Sequence, residues 1–101
     1  MALNPESRFE VFLDGDDIVR RAPAEAEERL RLADLSAVYF ETAEGPFEAD
    51  WWILEAGSKA ISFPLGATGE SAILDRLKQF PGFEVKGMNS VTRDRFLCWQ
   101  R

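Results

Sequence analysis

Four groups of residues in this chain have types and spacings that could do chemistry. They are the run Gly66-Ala67-Thr68-Gly69-Glu70-Ser71, the acidic residues around Gly15, the carboxylates Glu41, Glu44, Glu48 and Asp50, and the lone thiol of Cys98. The first lies where an apolar run gives way to a helical pattern, which is the position of a phosphate-binding loop. A loop of the Walker type ends in Gly-Lys-Ser/Thr, so that an ammonium meets the β- and γ-phosphates and a hydroxyl meets magnesium. Here no lysine follows the second glycine, and Glu70 sets a negative charge where phosphate would lie. Capping accounts for every residue instead. Thr68 is the N-cap, Glu70 complements the helix dipole, and Gly66 allows a sharp exit from the strand. The run predicts a cap, and no nucleotide or other cofactor.

The other groups also read as structure first. Asp14-Gly15-Asp16-Asp17 lacks the alternating oxygen ligands and the distant bidentate glutamate of a calcium loop, so it reads as a turn. The four carboxylates surround one turn and read as a solvated rim, although paired-carboxylate catalysis could use them. Cys98 lies between Leu97 and Trp99 in an apolar run, with only Arg95 close in sequence to lower its pKa; it reads as a buried structural thiol. One cysteine forms no internal disulfide, and with no histidine in the chain it assembles no zinc site. The missing histidine also removes the usual acid–base group at neutral pH. No catalytic, cofactor-binding or metal-binding residue is assigned, and the chain is read as not an enzyme.

These residues must be positioned by a limited set of elements. Arg8 to Leu13 alternates, with Phe9, Val11 and Leu13 on one face, and predicts a half-buried strand; Asp17 to Arg21 is the return strand of its hairpin. For residues 23–35, propensity favours a helix starting at Pro23, whereas the two-residue spacing of Leu30 and Leu32 favours a loop and a strand over Glu27 to Leu32, then a turn at Ala33-Asp34. Ala37 to Thr42 is a strand closed by a turn at Glu44-Gly45-Pro46. Trp51 to Ala56 and Lys59 to Pro64 flank Gly57-Ser58, the signature of a hairpin with a type II′ turn. In that register Trp52 faces Phe63, Leu54 faces Ile61 and Ala56 faces Lys59. The core face therefore carries Trp52, Leu54, Ile61 and Phe63, and Trp51, Ile53 and Glu55 point the other way. Ile73, Leu74, Leu77 and Phe80 recur at helical spacing, which predicts one main helix over about 69–79, ended by Pro81-Gly82. Val85 and Met88 could pack from a short helical turn, and Arg95 to Trp99 reads as a buried final strand. Leu54, Ile61, Phe63, Ile73, Leu77 and Phe96 are expected in one core.

Length and composition bound the function. A chain of 101 residues with 46% apolar side chains is a single domain over 1–101, with core enough to fold without staples. No apolar run approaches a membrane span, and the first ten residues lack the layout of a signal peptide, so the expected location is cytoplasmic. The net charge of −6 argues against nucleic acid and anionic lipid. The arginines of the C-terminal RDRFLCWQR read as the solvated end of a strand in preference to a binding patch.

One pattern spans most of the chain from Ala33 onward. It comprises Thr42, Gly45-Pro46-Phe47, Asp50, Trp52 and Leu54, then Pro64, Gly66-Ala67-Thr68-Gly69-Glu70, Leu74, Arg76-Leu77, Phe80-Pro81-Gly82-Phe83 and Phe96-Leu97-Cys98-Trp99. In these residues the chain resembles a group of short proteobacterial proteins, a resemblance that implies no activity and no catalytic residues. The first half, with a strand hairpin and a strand ending in Leu32-Ala33-Asp34-Leu35, more distantly resembles bacterial pleckstrin-homology-like domains. That resemblance implies antiparallel strands with a late helix, and it favours the strand over Glu27 to Leu32.

Together these readings predict an α+β fold, a curved antiparallel sheet of about five or six strands with the main helix packed on it. The expected function is a non-enzymatic protein-interaction module of unidentified partner, with Trp51, Ile53 and Glu55 as its contact residues. An immunity-type protein that neutralises a toxin is the alternative, and a small enzyme using carboxylates is third.

Overall fold

The structure is a computed structural model of the chain and describes residues 8–44, 48–88, 90 and 92–101. The fold is α+β. Among the described residues seven strands, one or two more than expected, divide into two antiparallel sheets. Strand β1 (Glu10–Asp14), β2 (Asp17–Arg21) and β3 (Glu28–Arg31) form the smaller sheet in the order β1-β2-β3. Strand β4 (Ala37–Thr42), β5 (Trp51–Ala56), β6 (Lys59–Pro64) and β7 (Asp94–Gln100) form the larger in the order β6-β5-β4-β7. Among the described residues a single α-helix, α1 (Glu70–Leu77), follows β6 and packs against β1. Among the described residues no helix is long and apolar enough to cross a membrane.

Both hairpins follow from their turns. Gly15 and Gly57 each take a positive φ, 60° and 62°, at the first position of a two-residue loop, and no such φ falls on Asp16 or Ser58, as a type II′ turn requires. The second loop sets Trp52 opposite Phe63, Leu54 opposite Ile61 and Ala56 opposite Lys59, the register its sequence predicts. The turn at Glu44-Gly45-Pro46 lies mostly outside the described residues.

Residues 23–35 resolve into the loop and strand. Glu25 donates its N–H to the Ala22 carbonyl, with Pro23 at the second turn position and Ala24 at the third with a φ of 59°. That is where a type II turn calls for glycine, and Pro23 here initiates a turn and not a helix. Leu30 then enters the core from β3, and a 3₁₀ turn at Leu32–Asp34 buries Leu32.

The core lies between the sheets. It holds Val11, Ile18 and Leu30 from the smaller sheet and Val38, Phe40, Trp52, Leu54, Ile61 and Phe63 from the larger, closed by Ile73 and Leu77 of the helix. Phe40 and Trp52 pack ring to ring at 4.7 Å. Phe96 departs from expectation. It sits opposite Phe40 on the edge strand β7, with a neighbouring strand on one side only, and is half-buried. Val85 and Met88 form no helical turn and are both 41% exposed. Their segment lies beside β7, tied by the Glu84 N–H to the Cys98 carbonyl at 2.9 Å and by Gly87 lying against the Phe96 ring. Asn89 and Val91, also within the segment left open by its sequence, lie outside the described residues.

Candidate protein-contact face

In the loop before the helix the amides of Gly66, Ala67, Thr68 and Glu70 are bonded within the fold. Thr68 donates to the Phe9 carbonyl at 2.8 Å and its own carbonyl accepts from Val11 at 2.9 Å, so the loop adds a parallel bridge to the open edge of β1. Ala67 donates to Pro64, Glu70 to Ala67, and Gly66 to the Glu70 carboxylate. The N-cap is Gly69, with a φ of 88° and no side-chain cap, and Thr68 lies one residue ahead of it. The expected Thr68 cap is therefore displaced, because pairing with β1 turns the chain through a left-handed residue before the helix starts. The helix itself is shorter than expected; Lys78 still donates to the Leu74 carbonyl, and Gln79 and Phe80 continue it as tighter turns.

Of the four carboxylates in and after β4, Glu41, Glu48 and Asp50 make separate structural contacts. Asp50 Oδ1 accepts from the Ala43 N–H at 2.8 Å, Glu48 pairs with Arg93 at 2.8 Å, and Glu41 lies 3.7 Å from Arg95. Around β1 to β3, Arg29 bridges Asp14 and Glu27, and the bonds from Arg21 and Arg29 hold the Glu27 carboxyl below its ordinary pKa. Cys98 sits at a bulge, since Tyr39 pairs with Leu97 and Val38 with Trp99, and the thiol turns inward. Burial pushes its pKa up. Among the described residues no cluster of acidic or cysteine side chains is spaced to hold a metal ion.

The outer face of the larger sheet is different. Strand register lays three rows of side chains across it. The middle row runs Ser62, Ile53, Tyr39, Leu97. It is apolar over three strands, Leu97 is 38% exposed, and Ile53 and Tyr39 are half-buried. The row on one side is Pro64, Trp51, Glu41, Arg95; that on the other is Ala60, Glu55, Ala37, Gln100. The Arg95 guanidinium stands 5.4 Å above the Tyr39 ring. A shallow cleft of about 370 Å³ between Glu41, Trp51, Ile53 and Ser62 opens onto this face. Among the described residues no helix or strand packs over it.

Trp51, Ile53 and Glu55 thus point away from the core and share one face. Trp52 has no exposed surface, whereas Trp51 is half-buried with the Phe9 ring edge-on at 5.4 Å. Phe9 therefore covers part of the tryptophan, and in the middle row Leu97 is exposed. Tyr39 and Leu97 belong to this face, and sequence reasoning misses them. Alternation within each strand assigns their direction, but joining them to Ile53 requires knowing that β5, β4 and β7 are neighbours. No protein family, curated protein or solved structure matches this chain.

Proposed function

We propose that this domain is a non-enzymatic protein-interaction module that binds its partner through the outer face of the larger sheet. The observation that carries the reading is the row Ile53, Tyr39 and Leu97, an apolar stripe across three strands with no element of the described chain over it. Tyr39 between Ile53 and Leu97, with Glu41, Arg95, Glu55 and Gln100 in the flanking rows, matches the make-up of contact surfaces, in which an aromatic and aliphatic centre is bounded by polar groups. Glu55, which has no ion pair among the described residues, and the net charge of −6 favour a partner that is basic around an apolar pocket. Of the candidate acids, Glu41, Glu48 and Asp50 make structural contacts, as do the amides of Gly66, Ala67, Thr68 and Glu70, which speaks against an enzyme. The single thiol suits a cytoplasmic setting. Acidity and small size also suit an immunity-type protein that neutralises a basic toxin, and that partner would use the same face.

The test is capture from native cytoplasm with the wild type and with Trp51→Ala, Leu97→Asp and Ser71→Asp. A partner retained by wild type and Ser71→Asp, lost with Leu97→Asp, weakened with Trp51→Ala, and slower to associate as salt rises is the expected result. Equal retention by all variants would overturn the assignment of this face. A partner encoded beside this gene and toxic on its own would select the immunity reading.

A further inference from the structure

The arginines of this chain are of two kinds. Arg20, Arg21, Arg29 and Arg93 each hold a carboxylate oxygen within 3.0 Å. Among the described residues, Arg8, Arg31, Arg76, Arg95 and Arg101 do not, and Arg31, Arg76 and Arg101 come together. The nearest carboxylate to Arg31 is Asp17 at 3.7 Å. Arg76 lies 5.5 Å over the Phe80 ring and reaches Gln79 at 3.4 Å, and Arg101 donates to the Ala33 carbonyl. These three are far apart in sequence, yet they line one cleft of about 360 Å³ with Phe80, Trp99 and Asp16. A second cleft shares Arg31 and Arg101 and adds Arg29, Lys59 and Asp34. In a chain of net charge −6, this is a concentration of cations; among the described residues Arg76 and Arg101 have no side-chain ion pair, and Arg31 has only the long one to Asp17.

We infer that the first cleft binds a small phosphate monoester carrying a planar ring. Its volume falls within the roughly 300–1,000 Å³ of small-molecule sites. A guanidinium presents a planar fork that matches phosphate oxygens, and a monoester has three terminal oxygens to share among three such forks; a carboxylate fills only one. Phe80 and Trp99 pack at 4.9 Å and form the apolar wall. The Trp99 Nε1 is spent on the Pro81 carbonyl at 3.1 Å, so the indole can offer its carbon surface to a ring. Asp16 opposes a bare anion but can accept from a hydroxyl or amino group beside the phosphate. The cleft shares no residue with the outer sheet face, so it stands or falls independently of the protein-contact reading.

The test is an amide and indole NMR titration of the whole chain with phenyl phosphate, inorganic phosphate and benzoate. Phenyl phosphate should shift the Trp99 indole and the Leu32 and Ala33 amides saturably, and bind more tightly than either other probe. Arg31→Gln and Arg76→Gln should each weaken it by about tenfold, the effect of losing one charge-assisted contact. Arg93→Gln, paired with Glu48 away from the cleft, should change nothing. Unchanged melting of the two cleft variants would establish that they fold. Absence of saturable shifts, or affinity indifferent to both cleft arginines, would overturn the site. Benzoate binding as tightly would overturn the phosphate assignment, and inorganic phosphate binding as tightly would overturn the ring.

Discussion

The indole Nε1 of Trp52 donates to the Glu70 carboxylate at 3.1 Å, which joins the fully buried tryptophan of β5 to the first residue of the helix. The same carboxylate accepts the Gly66 N–H at 3.3 Å. Glu70 therefore closes the loop it follows, satisfying a polar atom of the core and a loop amide together. A residue that reads in sequence as a dipole complement is in the fold a clasp.

This clasp carries a pH signature. Burial raises the Glu70 pKa above its ordinary 4.5, against the lowering effect of the bonds from Gly66 and Trp52. A raised folded value means that the neutral acid's contribution to stability is complete below the unfolded pKa and is lost as pH rises through the folded one. Glu70→Gln keeps an acceptor and removes the ionisation. Urea denaturation should find the variant close to wild type below pH 4.5 and more stable than wild type near neutrality. A variant less stable at neutrality would mean that the two hydrogen bonds outweigh desolvation.

Arg20 ties the two sheets together. It is 6% exposed, donates to the Ser62 carbonyl on edge strand β6 and to Glu28 at 2.8 Å, and its guanidinium lies 5.1 Å from the centre of the Phe9 ring. Arg20→Ala should cost about 2–4 kcal/mol in a denaturant melt, since it opens a cavity and strips the part-buried Ser62 carbonyl of this partner. Arg20→Lys, which keeps the charge but not the fork, should recover only part of that.

Two left-handed residues should respond in opposite directions. A Cβ on Gly69 would lie 2.0 Å from the Val11 carbonyl oxygen at a φ of 88°, so Gly69→Ala should destabilise by at least about 2 kcal/mol. Ala24 has a φ of 59° in an exposed turn. There Ala24→Gly relieves the strain at some entropic cost, for a net gain of up to about 1 kcal/mol. Thermal melts of both variants check the pair.

Cys98 should be chemically quiet in the native state. It is 2% exposed, and burial raises its pKa, which depletes the thiolate that reacts. Ellman's reagent should label the native protein only as fast as it opens, and label it at once in denaturant. Rapid native labelling would contradict the inward-turned bulge.

What the sequence determined by itself was local. Alternation with period two assigned each side chain of β5 and β6 to a face, and Gly57-Ser58 set the register between them, so the amino-acid order alone marks Trp51, Ile53 and Glu55 as outward-pointing. The helix is legible in the spacing of Ile73, Leu74 and Leu77, although its cap is not, because Thr68 is claimed by a strand more than fifty residues earlier in the chain. Residues 23–35 show the limit of propensity, where alanine, glutamate and leucine favour a helix and the burial of Leu30 and Leu32 overrides it. Tertiary structure alone decided the division into two sheets, the order β6-β5-β4-β7, and hence the meeting of Ile53, Tyr39 and Leu97 on one face and of Arg31, Arg76 and Arg101 around one cleft. The physical reason is that steric and hydrophobic periodicity fix where a side chain points relative to its own backbone. Which surfaces then share a neighbourhood depends on pairings between distant strands, and those are chosen by the burial of the whole core.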